Sequence, residues 1–199
     1  ATVTPTPTPT PTPAVNYDTA EYRRSVAAVG SGAITAWQAG ASGQGVTIAF
    51  IDSGIDTTSS EFSGRIAAAS RDVTSQGRSV TDASGHGTAV AAVEASARND
   101  VQIMGVAFEA TIASFRADNG DCSDGCRYTD SAIAAGVDAA LSAGARAINI
   151  SLGGSSANAP LRAAFVRATN QGAVLVLSAG NDGLANPDPL PLGALSAAG

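Results

Sequence analysis

Two apolar runs, Val46-Thr47-Ile48-Ala49-Phe50-Ile51 and Ala173-Val174-Leu175-Val176-Leu177, do most to limit what this chain can become. Each breaks off at a polar residue, Asp52 in the first and Ser178 in the second. Short runs with little polar alternation suit strands covered on both faces, the situation of strands in parallel sheets. Parallel neighbours need a crossover between them, usually a helix. The sequence between the two runs should therefore alternate helices with further strands.

It does. Residues 110–117 and 145–152 read as strands, and Arg65 to Val73 as a less regular one. Asp130 opens a helix in which Ile133, Val137 and Leu141 share a face, with Gly144 as its stop. Asn158 and Pro160 signal another, with Leu161, Ala164, Phe165 and Ala168 as its buried stripe and Gly172 at its end. From His86 the apolar positions Val90, Val93 and Ala97 recur at helical spacing. A short helix within Tyr17–Ala39 places Ala33, Ile34 and Trp37 on one side, while residues 74–85 read as a polar loop. The expected fold class is α/β, with three α/β/α layers around a mainly parallel sheet. The strand at 173–178 would be an edge without the neighbours that complete such a sheet.

Ahead of this body, residues 2–13 repeat threonine and proline. Prolines remove backbone donors and fix φ, so residues 1–16 are expected to be a disordered, extended linker to a domain over 17–199. A start at Ala1 without methionine suggests a mature or trimmed product. A hydrophobic content of 44% marks a globular chain, and no apolar stretch is long enough for a membrane helix. A net charge of −6 argues against nucleic acid as a partner. Cys122 and Cys126 bracket a three-residue spacer, which leaves a bridged loop and two thiols equally open. Zinc would need ligands beyond this one pair.

In open α/β sheets, ligands lie beyond the carboxyl ends of the strands. Asp52 ends the first strand, Leu152-Gly153-Gly154 follows the fourth, and Asn181 follows the last. His86, the single histidine, opens a helix between two glycines that permit close approach to its ring. No glycine-rich loop follows the first strand, which disfavours a nucleotide-binding domain. A carboxylate, an imidazole and an amide at element ends match three of the four parts of a serine-hydrolase site.

The ordered set Asp52-Ser53-Gly54, Gly85-His86-Gly87-Thr88, Ser151-Leu152-Gly153-Gly154 and Ser178-Ala179-Gly180-Asn181 resembles the subtilisin-like family of serine proteases. The likeness runs from about Ile34 to Gly183. It implies a subtilisin-like sheet and an endopeptidase working through an acyl-enzyme. By that resemblance, Asp52 orients the imidazole, His86 is general base and then acid, and Asn181 donates to the oxyanion. Ser151, Leu152, Gly153 and Gly154 would pair with an extended peptide or protein substrate, and Ser178, Ala179 and Gly180 would wall a side-chain pocket. The chemistry requires no cofactor. Glu61 and Asn99 fall where the family often places calcium ligands, but two side-chain oxygens are short of the six to eight that calcium takes.

One departure matters. The family's nucleophilic serine lies in a Gly-Thr-Ser-Met-Ala type segment after the oxyanion asparagine, and residues 182–199 contain none. Ser196, with three residues after it, lacks chain for a supporting helix. The expectation is the N-terminal portion of a peptidase domain, inactive alone, whose serine comes from the remainder of the same polypeptide. The alternative is an inactive peptide-binding or adhesive surface module. The Thr-Pro tract and Ala/Gly/Ser-rich body also resemble protease passenger domains of bacterial autotransporters. That likeness implies a secreted or cell-surface location, with an outer-membrane barrel as a further partner.

Overall fold

The computed structural model describes residues 15–120, 122–153 and 157–180. Residues 1–14 of the expected linker, together with Gly154 and Asn181, lie outside the described residues. Among the described residues, five parallel strands form one sheet: β1 (Thr47–Asp52), β2 (Arg71–Asp72), β3 (Thr111–Arg116), β4 (Ala147–Ile150) and β5 (Val174–Leu177). Their spatial order is β2-β3-β1-β4-β5, so β1 is central. The expected strand over 65–73 contracts to two paired residues and an isolated bridge from Ile66 to Ile112.

Three layers form because β1 is apolar on both faces. Ala49 and Ile51 meet α5 (Asp130–Ser142) and α6 (Ala159–Asn170) in one core. Ile48 and Phe50 face the other way, toward α4 (His86–Ala95). Fully burying a side chain of this size contributes about 1.5–3 kcal/mol. Gly136 lets α5 sit close to the sheet, since a Cβ there would fall 2.9 Å from Ile51 Cγ2. At the start of α6, Asn158 Oδ1 accepts from the Leu161 backbone N–H at 3.0 Å, and Leu161, Ala164, Phe165 and Ala168 are buried as the sequence predicts.

In place of one helix, residues 17–39 hold three short ones, α1 (Ala20–Arg24), α2 (Val26–Gly30) and α3 (Ile34–Gln38). They gather Tyr22, Ala28, Ala33 and Trp37 against Met104 and Phe108, and Trp37 Nε1 donates to Val106 O at 2.7 Å. In α4 the fully buried residues are Gly87, Ala91 and Ala95; of the expected Val90, Val93 and Ala97, Val90 is half-buried against the same core. Val93 is 44% exposed, and Ala97 lies past the helix end. At its first turn the helix lies so close to the end of β1 that Gly87 has no room for a side chain.

The last strand also departs from expectation. Val174 and Val176 are 61% and 51% exposed, so β5 is covered on one face only. Cys122 and Cys126 form a disulfide, deciding what their spacing left open.

Candidate active site

Asp52 ends the central strand, where its 2%-exposed side chain faces the amino end of α4. His86 is the first residue of that helix, and its Nδ1 lies 2.8 Å from Asp52 Oδ1. The two residues are 34 positions apart in the chain. The Ser53 backbone N–H donates to the same Asp52 oxygen at 2.7 Å. Asp52 Oδ2 is buried and has no hydrogen-bond partner among the described residues. The imidazole is 52% exposed, which leaves its other nitrogen accessible to a reacting group.

The glycines around His86 have separate physical reasons. Gly85 caps the helix at φ 85°, a left-handed conformation that side chains disfavour. Gly87 is required by proximity, because a Cβ there would stand 2.3 Å from Gly54 O and 3.1 Å from Asp52 Cβ. Its absence brings the helix start onto the end of β1.

Asp82, in the stretch expected to be a plain polar loop, holds that helix start. Its carboxylate accepts from the backbone N–H groups of Ser84, Gly85 and Thr88 at 3.0, 2.9 and 2.8 Å, and from Thr88 Oγ1 at 2.6 Å. Ser53 Oγ also donates to Asp82, at 2.8 Å, and accepts the Gly87 N–H at 3.0 Å. Burial alone would raise the Asp82 pKa. The hydrogen bonds from Thr88, Gly85 and Ser53 outweigh it and hold the value at about 2. A permanent negative charge thus sits at the positive end of α4 and links it to the residue after Asp52.

A second ionic cluster supports this loop. Buried Asp118 takes Arg116 Nε at 2.6 Å and Arg78 Nη1 at 2.6 Å, and Arg78 Nε also reaches Asp72 at 3.0 Å. Arg116 Nη1 donates to Thr81 O at 2.8 Å, next to Asp82. Burial pushes the Asp118 pKa upward, but the hydrogen bonds from Arg116, Arg78 and the Gly120 N–H win and keep it below the ordinary aspartate value. Asp82, Arg78 and Asp118 escaped the sequence reading because loop charges carry no periodic signal. Asp82 four residues before a helix-opening histidine was the available clue.

At the other half of the edge, Ser178 Oγ donates to Leu152 O at 2.7 Å and its N–H to Ile150 O at 3.2 Å. This joins the two expected walls of a substrate groove. Leu152 has its side chain in the core, whereas Gly153, Ala179 and Gly180 are exposed. Asn149 Nδ2 donates to Ser151 Oγ at 2.9 Å. Among the described residues, these walls join the Asp52–His86 half through the pairing of β1 with β4.

The calcium question turns on orphaned oxygens. Glu21 Oε2 and Glu61 Oε1 are both buried without hydrogen-bond partners among the described residues. Asn99 joins the two acids: its backbone N–H donates to Glu21 Oε1 at 3.0 Å and its Nδ2 approaches Glu61 Oε2 at 3.5 Å. Burial raises the Glu61 pKa, and the neighbouring Glu21 charge adds to that despite the Asn99 bond. The Arg65 charge offsets part of this for Glu61. Among the described residues no cluster of three or more acidic, histidine or cysteine side chains is gathered here, so carbonyl oxygens would have to supply most of the six to eight ligands of a calcium ion. Glu21 is the member that sequence reasoning missed.

The sequence model of the subtilase family matches residues 43–198. Thermitase from Thermoactinomyces vulgaris is 32% identical over 149 residues, which cover 74% of this chain and 52% of thermitase. Subtilisin E from Bacillus subtilis (strain 168) is 33% identical over 144 residues, covering 72% of this chain and 36% of that protein. The minor extracellular protease Epr of the same organism is 33% identical over 156 residues, covering 78% of this chain and 23% of Epr. The chain therefore spans about half the length of thermitase and less of the other two. Parallel sheet, motif order and family match agree, and the chain belongs to the subtilase family.

Proposed function

We propose that this chain carries the base and orienting half of a serine endopeptidase site, and that the nucleophilic serine comes from a further part of the same polypeptide. The observation that carries the reading is the 2.8 Å contact between Asp52 and His86 at the carboxyl edge of the sheet, in a chain of the subtilase family. Asp52 fixes the tautomer by accepting from Nδ1–H, which directs the other nitrogen toward a reacting hydroxyl. His86 takes the hydroxyl proton as the serine attacks the peptide carbonyl, then returns it to the leaving amine. Asn181 donates to the developing oxyanion. An extended substrate lies along Ser151–Gly154, with the side chain before the scissile bond against Ser178, Ala179 and Gly180.

One relative, Epr, is named as an extracellular protease, which supports export of this protein. A cell-surface or outer-membrane location belongs to the same proposal. A structural calcium held by Glu21, Glu61 and Asn99 would neutralise the acid pair and tie α1 to the 99–101 segment; it takes no part in the chemistry. Calcium then raises the melting temperature of the wild type and not of a Glu21→Gln, Glu61→Gln variant, by mass action on the folded state.

The decisive test uses a polypeptide extended to include a Gly-Thr-Ser segment. It should cleave casein and be labelled by a serine-directed phosphonate, and His86→Ala should cut turnover by about 10⁴-fold or more with the fold intact. A longer chain that carries the segment, folds and stays unlabelled overturns the reading.

A further inference from the structure

The Asp52 carboxylate serves more than the imidazole. The hydroxyl of Tyr128, 76 residues away, lies 3.4 Å from Asp52 Oδ1, the oxygen that also receives His86 Nδ1 and the Ser53 N–H. Oδ2 takes no partner among the described residues, so the donors share one oxygen. At 3.4 Å the Tyr128 bond is the longest of the three contacts to that oxygen.

We propose that Tyr128 is a positioning residue for the Asp52–His86 pair, donating to Asp52 Oδ1 from a loop that the Cys122–Cys126 disulfide closes. The tyrosine is held from both sides in sequence. Before it, Asp118 and Tyr128 form an antiparallel bridge, and the Asn119 N–H donates to Arg127 O at 2.9 Å. After it, Thr129 caps α5 by accepting the Ala132 N–H at 3.2 Å. Between the bridge partners, the disulfide shortens the loop, and the Gly125 N–H donates to Cys122 O at 3.2 Å. The ring packs against the α5–α6 core, so its hydroxyl has little freedom to turn away.

The chemistry allows only one direction of donation. Burial, then the charges of Asp52 and Asp118, push the Tyr128 hydroxyl well above the usual tyrosine range, so it stays protonated. A protonated phenol beside a carboxylate donates and draws charge from the oxygen that holds the imidazole. The charged or titratable groups around His86 are Asp52 from β1, Asp82 from the preceding loop through Ser53, and Tyr128 with Asp118 from the β3–α5 side. Without the hydroxyl, Asp52 favours the imidazolium more strongly.

His86 is the single histidine of the chain, so its ring C–H protons give one unambiguous NMR titration. In the 199-residue protein, Tyr128→Phe keeps the ring and removes the donor, and the titration midpoint should move to higher pH. Biosynthetic 3-fluorotyrosine, a stronger donor, should move it to lower pH; Tyr17 and Tyr22, which are labelled as well, sit in the separate cluster around Trp37. Cys122→Ser with Cys126→Ser should shift the midpoint in the same direction as Tyr128→Phe. A purely structural tyrosine would change the melting temperature and leave both shifts absent; unmoved midpoints overturn the proposal. If the phenylalanine variant fails to fold, the fluorotyrosine arm decides alone. In the complete enzyme, Tyr128→Phe should lower kcat about three- to tenfold at unchanged KM, the scale of one hydrogen bond. That last arm rests on the protease reading. An inactive wild type would refute that reading while the titration still judges Tyr128.

Discussion

The carboxyl edge of the sheet is built in two ways. At β1 and β3, the side chains of Asp52, Asp82, Arg116 and Asp118 bond to one another's loops and to the start of α4, so that geometry is dense with charge and mutual. At β4 and β5, the walls meet through strand pairing and the Ser178 bonds, beneath exposed Val174 and Val176. The difference teaches where precision resides. A general base must be oriented to a fraction of an ångström, and a network with many partners gives that because moving one member strains several bonds. Walls that bind extended backbone need only a correctly spaced edge, which parallel pairing supplies.

Substitutions can break this contrast, beginning with the strongest. Gly87→Ala should destabilise the protein by about 3 kcal/mol and separate Asp52 from His86, since the added methyl meets the Gly54 carbonyl and backbone cannot yield cheaply. Chemical denaturation and the His86 titration would read the two effects separately. Asp82→Ala comes next, with a loss of about 2 kcal/mol from the unsatisfied donors at the start of α4. Ser178→Ala, the corresponding cut on the other half, should cost about 1 kcal/mol or less, because one exchangeable bond is lost.

The same contrast has a pH signature. The Asp82 pKa is lowered on folding to about 2, so its contribution is fully present above the ordinary aspartate range, near 3.9. It is lost as pH falls from there through about 2. Acid titration of stability should therefore show a component in that window that Asp82→Ala removes; identical acid limbs would contradict the role given to Asp82. The smallest effect belongs to β5: Val176→Thr should change stability by no more than about 0.5 kcal/mol, since its side chain is exposed in this chain. In a polypeptide extended past residue 199, a larger cost would mean that further chain covers this face.

Legibility in the sequence followed burial. α6 was readable because Leu161, Ala164, Phe165 and Ala168 are both apolar and inside. α4 was legible only in part: Val90 does pack on the core, but Val93 is exposed and the fully buried positions are Gly87, Ala91 and Ala95. Hydropathy ranks side chains by apolarity, whereas tight helix-on-sheet contact selects by size. β5 was read as covered on both faces because its composition suits that state, yet coverage depends on neighbours that composition does not contain.

By itself the sequence determined the parallel α/β layout, the strand ends as the functional edge, and Asp52 and His86 as the residues worth pairing. Local preferences and apolar spacing act over a few residues and suffice for the layout and its edge, whereas the pairing of Asp52 with His86 came from the order of the motifs and the family they resemble. Only the tertiary structure decided that Asp82 anchors the helix under His86, that Glu21 meets Glu61 through Asn99, that the cysteines join, and that Tyr128 reaches Asp52. Most of these are contacts between polar side chains far apart in the chain, and no short-range pattern encodes which distant partner satisfies a buried charge.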